Sequence, residues 1–262
     1  MNLMRTTALV AVVLLLQVVC VSALSADEAR LTWLDAKGHT AQAIITHEDA
    51  KLQRAANNTP ENRQAVVDTG KVLQYAMLDE AQAWLTWKNL SVQEDPLVSD
   101  ELKQTISADV QTNFDKITEL RGEVDNVTNE FELGVVSLKM IGKYVELLTD
   151  VARNVGLIWA HTATVYADRI DDFQARLRTT AQSVNASQDV LAKLDAATSE
   201  VQTARTNIGR AEAAYNLVVL PGNPFLKFAE GNSYLRAAQA NMLVAVADLN
   251  QAYVMITTQA GV

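Results

Sequence analysis

Cysteine is all but absent from these 262 residues: Cys20 is the only one, and it lies in an apolar N-terminal stretch. Once that stretch is removed, no disulfide and no thiolate chemistry is open to the chain, so its stability must come from packing. Proline is nearly as scarce, with four in the chain and none between Pro96 and Pro221. Ten glycines and no alternating apolar and polar runs leave the helix as the dominant element. Positive charge is in deficit, with 22 basic against 31 acidic residues and a net charge of -9. A chain without a clustered basic surface cannot neutralise phosphates, which excludes nucleic acid as a partner.

Chemistry-bearing patterns are also missing. There is no nucleophile elbow, phosphate-binding glycine loop, haem-attachment motif or dinucleotide fingerprint. His39 and His47 are eight residues apart, roughly 12 Å along a helix, whereas two imidazoles on one ion need a three- or four-residue step. His161 stands alone beside Trp159, and Asp168, Asp171 and Asp172 read as a solvated helix face. No catalytic, cofactor-binding or metal-ligating residue is therefore assigned, and no enzyme activity or cofactor is expected.

What is present begins with an address. Arg5, the apolar run Ala8–Val21 and the small-residue site Val21-Ser22-Ala23 read as a signal peptide over residues 1–23, with a second cut site after Ala26. Cys20 lacks the lipoprotein context, since Gln17 and Val19 occupy the positions that would be aliphatic and small. Cleavage after Ala23 removes Arg5 as its only charged residue and takes the net charge from -9 to -10. The expected location is secreted or cell surface, with membrane contact only if the N-terminal segment is retained as an anchor, its length being close to the roughly 20 residues that span a bilayer. Asn57, Asn89, Asn126 and Asn185 head Asn-x-Ser/Thr triplets and are candidate glycosylation acceptors.

The strongest signal is a seven-residue apolar repeat. Stepping from Val110 gives Ile117, Val124, Phe131, Leu138 and Val145, and continues through Ala152, Trp159 and Tyr166 to Phe173. The companion position runs from Ile106 through Leu120, Val127, Gly134, Ile141 and Leu148 to Val155, broken by Asn113. Two apolar positions per heptad keep one stripe against a partner as helices supercoil. The repeat predicts one helix from Ser99 to about Gln182, on the order of 120 Å long, with Gly122, Gly134, Gly142 and Gly156 as places where it could bend or break.

Helices flank it on both sides. The first is expected over Asp27–Ala56, burying Leu31, Leu34, Ala41, Ile45 and Leu52. The second starts at Thr59-Pro60, buries Val66, Leu73, Met77, Trp84 and Trp87, and ends near Leu90. A reversal is expected around Ser183–Ser187. Beyond it Leu194, Val201, Ile208 and Tyr215 alternate with Ala197, Ala204 and Ala211, and after Pro221-Gly222-Asn223-Pro224 the pattern recurs as Leu235, Met242, Leu249 and Ile256 with Ala238, Ala245 and Ala252. Alternating large and small residues lets two axes approach closely.

These readings give an all-α, elongated antiparallel bundle with coiled-coil-like heptad packing and about five helices, one very long. Its parts are an N-terminal hairpin over 27–97, a long central helix over 98–182 and a C-terminal hairpin over 188–258. The layout is like that of spectrin-type repeats, a likeness of arrangement carried by no motif. The function expected is that of a cell-surface spacer or assembly module that takes a protein partner or self-associates, with Trp84 and Trp87 as an interaction patch. The alternatives are an extracytoplasmic ligand-binding bundle and a membrane-active helical protein.

Overall fold

The structure, a computed structural model, describes residues 24–260; the expected signal peptide lies outside them. Six helices make up the described fold: α1 (Ala26–Ala56), α2 (Pro60–Glu94), α3 (Asp100–Asp125), α4 (Glu130–Ser183), α5 (Gln188–Asn216) and α6 (Pro224–Ala260). No strand occurs among the described residues.

The count of five and the single long central helix are corrected. The heptad run is cut at Asn126–Asn129, and α3 folds back antiparallel along α4. Polar side chains make the turn. The Asn129 side chain accepts from Glu132 N at 3.0 Å, while the Glu132 carboxylate accepts from the Thr128 amide at 2.7 Å and the Thr128 hydroxyl at 2.8 Å. This reciprocal arrangement satisfies amides at the start of α4, and Val127 is buried beneath it. None of the four glycines breaks the helix; all lie inside α3 or α4.

Ion pairs staple the two antiparallel helices. Arg153 reaches Asp109 at 2.8 Å, Lys116 reaches Glu146 at 3.2 Å, and Lys139 reaches Glu123 at 2.8 Å. At the far end His161 Nε2 accepts the Ser99 amide, tying the start of α3 to mid-α4. Residues 99 and 161 would be on the order of 90 Å apart on one continuous helix.

With this fold-back, α4 belongs to two cores. Its first half packs with α2 and α3 around Leu78, Leu85, Val124, Val136, Met140 and Leu147. Its second half packs with α5 and α6 around Leu194, Val201, Tyr215, Ala245, Leu249 and Ala252. The N-terminal end is thus built from four helices, not three. The chain reverses after α4 at Asn185, whose positive φ of 49° closes the helix while Ala186 N donates to Ala181 O.

Two buried faces differ from those read in the sequence. In α1 the leucine and isoleucine face, Leu31, Leu34, Ile45 and Leu52 with Ala41, is exposed. The side that meets α2 carries Ala29, Ala43, Ala50 and Thr40 instead, small residues that admit close helix approach. In α2 the core residues are Val67, Gln74, Leu78, Ala81 and Leu85 beside the expected Val66, whereas Leu73, Met77, Trp84 and Trp87 are only half-buried. The helix also runs past Leu90 to Glu94.

Three tyrosines titrate late. Burial, with the Asp125 carboxylate accepting from its hydroxyl, pushes Tyr75 up to about 12. Burial does the same for Tyr144, which donates to Met77 O, and for Tyr215, which donates to Asn232. The unfolded phenols ionise near the ordinary value of 10. Stability from these groups is therefore full below pH 10 and is lost as pH rises to about 12. Denaturant melts in this range are expected to show the midpoint falling steeply above pH 10, and Tyr144→Phe should flatten the fall. A flat profile to pH 12 would contradict their burial.

Candidate functional site

The repeat that marks the sequence divides in space. In α3 its residues are core: Ile106, Val110, Ile117, Leu120 and Val124 are all buried. In α4 the same register faces outward. Phe131 is 80 % exposed, Leu138 71 % and Ile141 62 %, and Val145, Leu148, Trp159, Tyr166 and Phe173 are exposed as well. The helix is buried on other residues, Leu133, Val136, Met140 and Leu147 in its first half and Ala160, Ala167, Leu177 and Ala181 in its second. An apolar stripe on this helix is therefore open, among the described residues, in two stretches, Phe131–Leu148 and Trp159–Phe173; between them Val155 is half-buried and Ala152 packs on the C-terminal core, and Trp159 also meets Phe228 with ring centroids 5.9 Å apart.

Beside this stripe, α1, α2 and α4 enclose an apolar cleft. A cavity of about 330 Å³ is lined by His47 of α1, Leu73, Gln74 and Met77 of α2, and Met140 and Tyr144 of α4. A second of about 290 Å³ adjoins it, sharing Met77, Tyr144 and Leu148 and adding Trp33 and Trp84. Gln74 is buried; its amide group donates to Leu133 O and to the Ser137 hydroxyl, both at 3.0 Å, while its carbonyl oxygen has no partner. His47 Nδ1 lies 3.1 Å from the Thr69 hydroxyl, and burial followed by nearby Lys51 holds the imidazole below its ordinary pKa, in the neutral form.

Trp84 and Trp87 are both half-buried and are linked through Trp33, which lines the second cavity with Trp84. Trp87 stacks on Trp33 of α1 with ring centroids 5.0 Å apart, and Lys88 Nζ sits 3.8 Å from its centroid. Trp84 turns to the cleft. Of the four candidate acceptors, Asn57, Asn126 and Asn185 are exposed at helix ends. Asn89 lies within α2 and accepts from the Ser107 hydroxyl at 3.0 Å, so its side chain is engaged between two helices.

The histidines occupy separate places. His39 lies 3.9 Å from Asp35 on the surface of α1, His47 lines the cleft, and His161 holds the start of α3. Among the described residues no three His, Cys, Asp or Glu side chains gather as a metal site would require. Asp168 and Asp171 have a structural use, since both accept from Arg205 of α5 at 2.6 Å. No described helix is long and apolar enough to cross a membrane.

Two features escaped the sequence reading. The cleft takes Leu73, Met77 and Trp84 from the face of α2 that the sequence marks as core, and half-buried lining cannot be distinguished from core by periodicity alone. A further apolar patch, Leu217, Val219, Leu220, Phe225 and Leu226, projects at the α5–α6 turn; its signal was the uncharged run Leu217–Leu226. Comparison with protein-family models, curated proteins and solved structures finds no match to this chain.

Proposed function

We propose that this chain is a non-enzymatic assembly module on the outer side of a membrane, reached through its signal peptide and joined to protein partners through the open stripe of α4. The observation that carries the reading is the stripe itself. Monomeric proteins seldom leave exposed two apolar stretches in one register, Phe131–Leu148 and Trp159–Phe173, and large exposed apolar patches mark sites of association. Coiled-coil-like packing is proposed for the stripe and its partner, because the seven-residue register persists where most of its side chains are exposed among the described residues.

A photo-crosslinking residue at Leu138, with a matched one at Gln111 on the polar face of α3, tests this in the native envelope. Protein adducts at 138 and not at 111 are expected. Lipid adducts alone at 138 would overturn the reading in favour of a membrane-active protein.

The cleft favours a second reading, a ligand-binding bundle. Its two adjoining cavities fall in the size range of small-molecule sites, and their lining is apolar apart from a few polar groups, including the Gln74 amide. Native mass spectrometry of the exported protein, purified without detergent, would show a bound apolar molecule of defined mass if this reading holds and bare protein if it does not.

A further inference from the structure

The assembly reading leaves the partner open, and the stripe narrows it. We propose that the α4 stripe is covered by the same stripe of a second copy, running antiparallel, so that two chains pair along a left-handed two-helix seam. The inference rests on the assembly reading and commits it to one occupant.

Area is the first argument. Eight apolar side chains from Phe131 to Phe173 are between 40 % and 80 % exposed, which at roughly 150–250 Å² for an aromatic and less for an aliphatic side chain leaves on the order of 800 Å², what one partner contributes to a standard interface. Shape is the second. On a straight helix a seven-residue repeat drifts by roughly 20° per heptad, so a partner keeps contact over six heptads only by supercoiling with it. A second α4 carries the same drift. Charge is the third: the chain as a whole is acidic, at -9, yet Arg169 is the one charged seam position from Phe131 through Phe173, and with one helix reversed it meets Leu138 and not another charge. Two copies can therefore meet there without burying like charges.

Antiparallel order follows from residue sizes. The far half of the stripe is aromatic, with Trp159, Tyr166 and Phe173, and the near half holds Gly134, Ile141 and Leu148. Reversing one helix sets Phe173 over Gly134, Tyr166 over Ile141 and Trp159 over Leu148, large against smaller. Parallel order would place Trp159 against its own copy and Arg169 against Arg169. Gly134 and Gly142 fit the same picture. A Cβ at either would meet nothing within 4 Å, so no contact among the described residues requires a glycine there, although each costs about 1 kcal/mol relative to alanine in a helix. Both give a second helix room to approach.

Sedimentation equilibrium of the chain from Leu24 onward, at micromolar concentration, is expected to give a dimer. Leu138→Glu combined with Phe173→Glu should shift it to monomer with unchanged helical circular dichroism, because both side chains are exposed in the single chain. A wild-type monomer throughout, or a double variant that remains dimeric, overturns the proposal. Orientation is read separately. The chain from Leu24 has no cysteine of its own, so Gly134→Cys with Phe173→Cys under mild oxidation should give 134-to-173 bridges between chains. Bridges of 134 to 134 would overturn the antiparallel order. If the wild-type chain is monomeric while Leu138 still crosslinks to another envelope protein, self-pairing fails and the broader assembly reading survives.

Discussion

Gly156→Ala is expected to destabilise the protein by about 3 kcal/mol, lowering its melting temperature by on the order of 10 °C. Alanine is ordinarily the better helix residue by about 1 kcal/mol, so the sign of the effect is itself diagnostic. The reason is Tyr215. Its ring is fully buried between α4 and α6, where a Cβ added at Gly156 or at Gly231 would lie closer than 3.0 Å to ring carbons. The ring cannot swing away without giving up the 2.7 Å bond from its hydroxyl to Asn232. Gly122→Ala is the control, since a Cβ there meets nothing within 4 Å, and it should leave stability equal or slightly raised. Adding Tyr215→Leu to Gly156→Ala should cost less than the two single changes summed. Thermal melts of the four variants decide it, and a Gly156→Ala protein as stable as the parent would show that α4 and Tyr215 do not meet there.

Overpacking the C-terminal hairpin is the second large effect. Ala204 of α5 and Ala245 of α6 are both fully buried, within a core where alanines alternate with Leu194, Val201, Ile208 and Leu249. Leucine at either position adds three heavy atoms to a space with no room for them, and each change is expected to cost about 1 to 3 kcal/mol. Ala213→Ser, at an exposed position of α5, should change little. If both leucine variants melt at or above the parent temperature, the helices do not approach along this seam.

The alanine-and-large alternation made the last hairpin readable, because each helix buries one face throughout and Pro221-Gly222-Asn223-Pro224 marks the turn between them. The fold-back at Asn126–Asn129 was hidden for a physical reason. The heptad phase runs through it, from Val124 and Val127 to Phe131, and the turn uses neither proline nor glycine. Its local signals were the cluster Asp125, Asn126, Thr128 and Asn129 and the pair Asn129 and Glu132, which read as ordinary helix surface while the apolar phase continues through them. Gly156 was a break candidate on propensity grounds, but it is a notch for a ring from another helix, and no local rule identifies the ring. In α1 the large apolar residues marked the wrong face, because contact with α2 favours small residues at close approach over large ones at a distance.

The candidate site was legible as a pattern and not as a place. Periodicity identified Phe131, Leu138, Val145, Trp159, Tyr166 and Phe173 as one stripe, but the same periodicity describes the buried Ile117 and Val124. Only the fold-back of α3 separates them: it supplies a partner for one face of α4 and leaves most of the heptad face exposed among the described residues. The cleft depends on that fold-back too, since Met140 and Tyr144 come to Met77 and Gln74 through the packing of α4 on α2.

The fold-back is therefore the claim on which the open stripe and the cleft both stand, and one distance tests it. Thr105 of α3 and Thr164 of α4 line the same surface cavity. Spin labels at Thr105→Cys and Thr164→Cys, in protein diluted with unlabelled chain, should give a pulsed-dipolar distance on the order of 20 Å. A helix continuous from Ser99 to Gln182 would hold these positions on the order of 90 Å apart, and a distance beyond the measurable range would contradict the account.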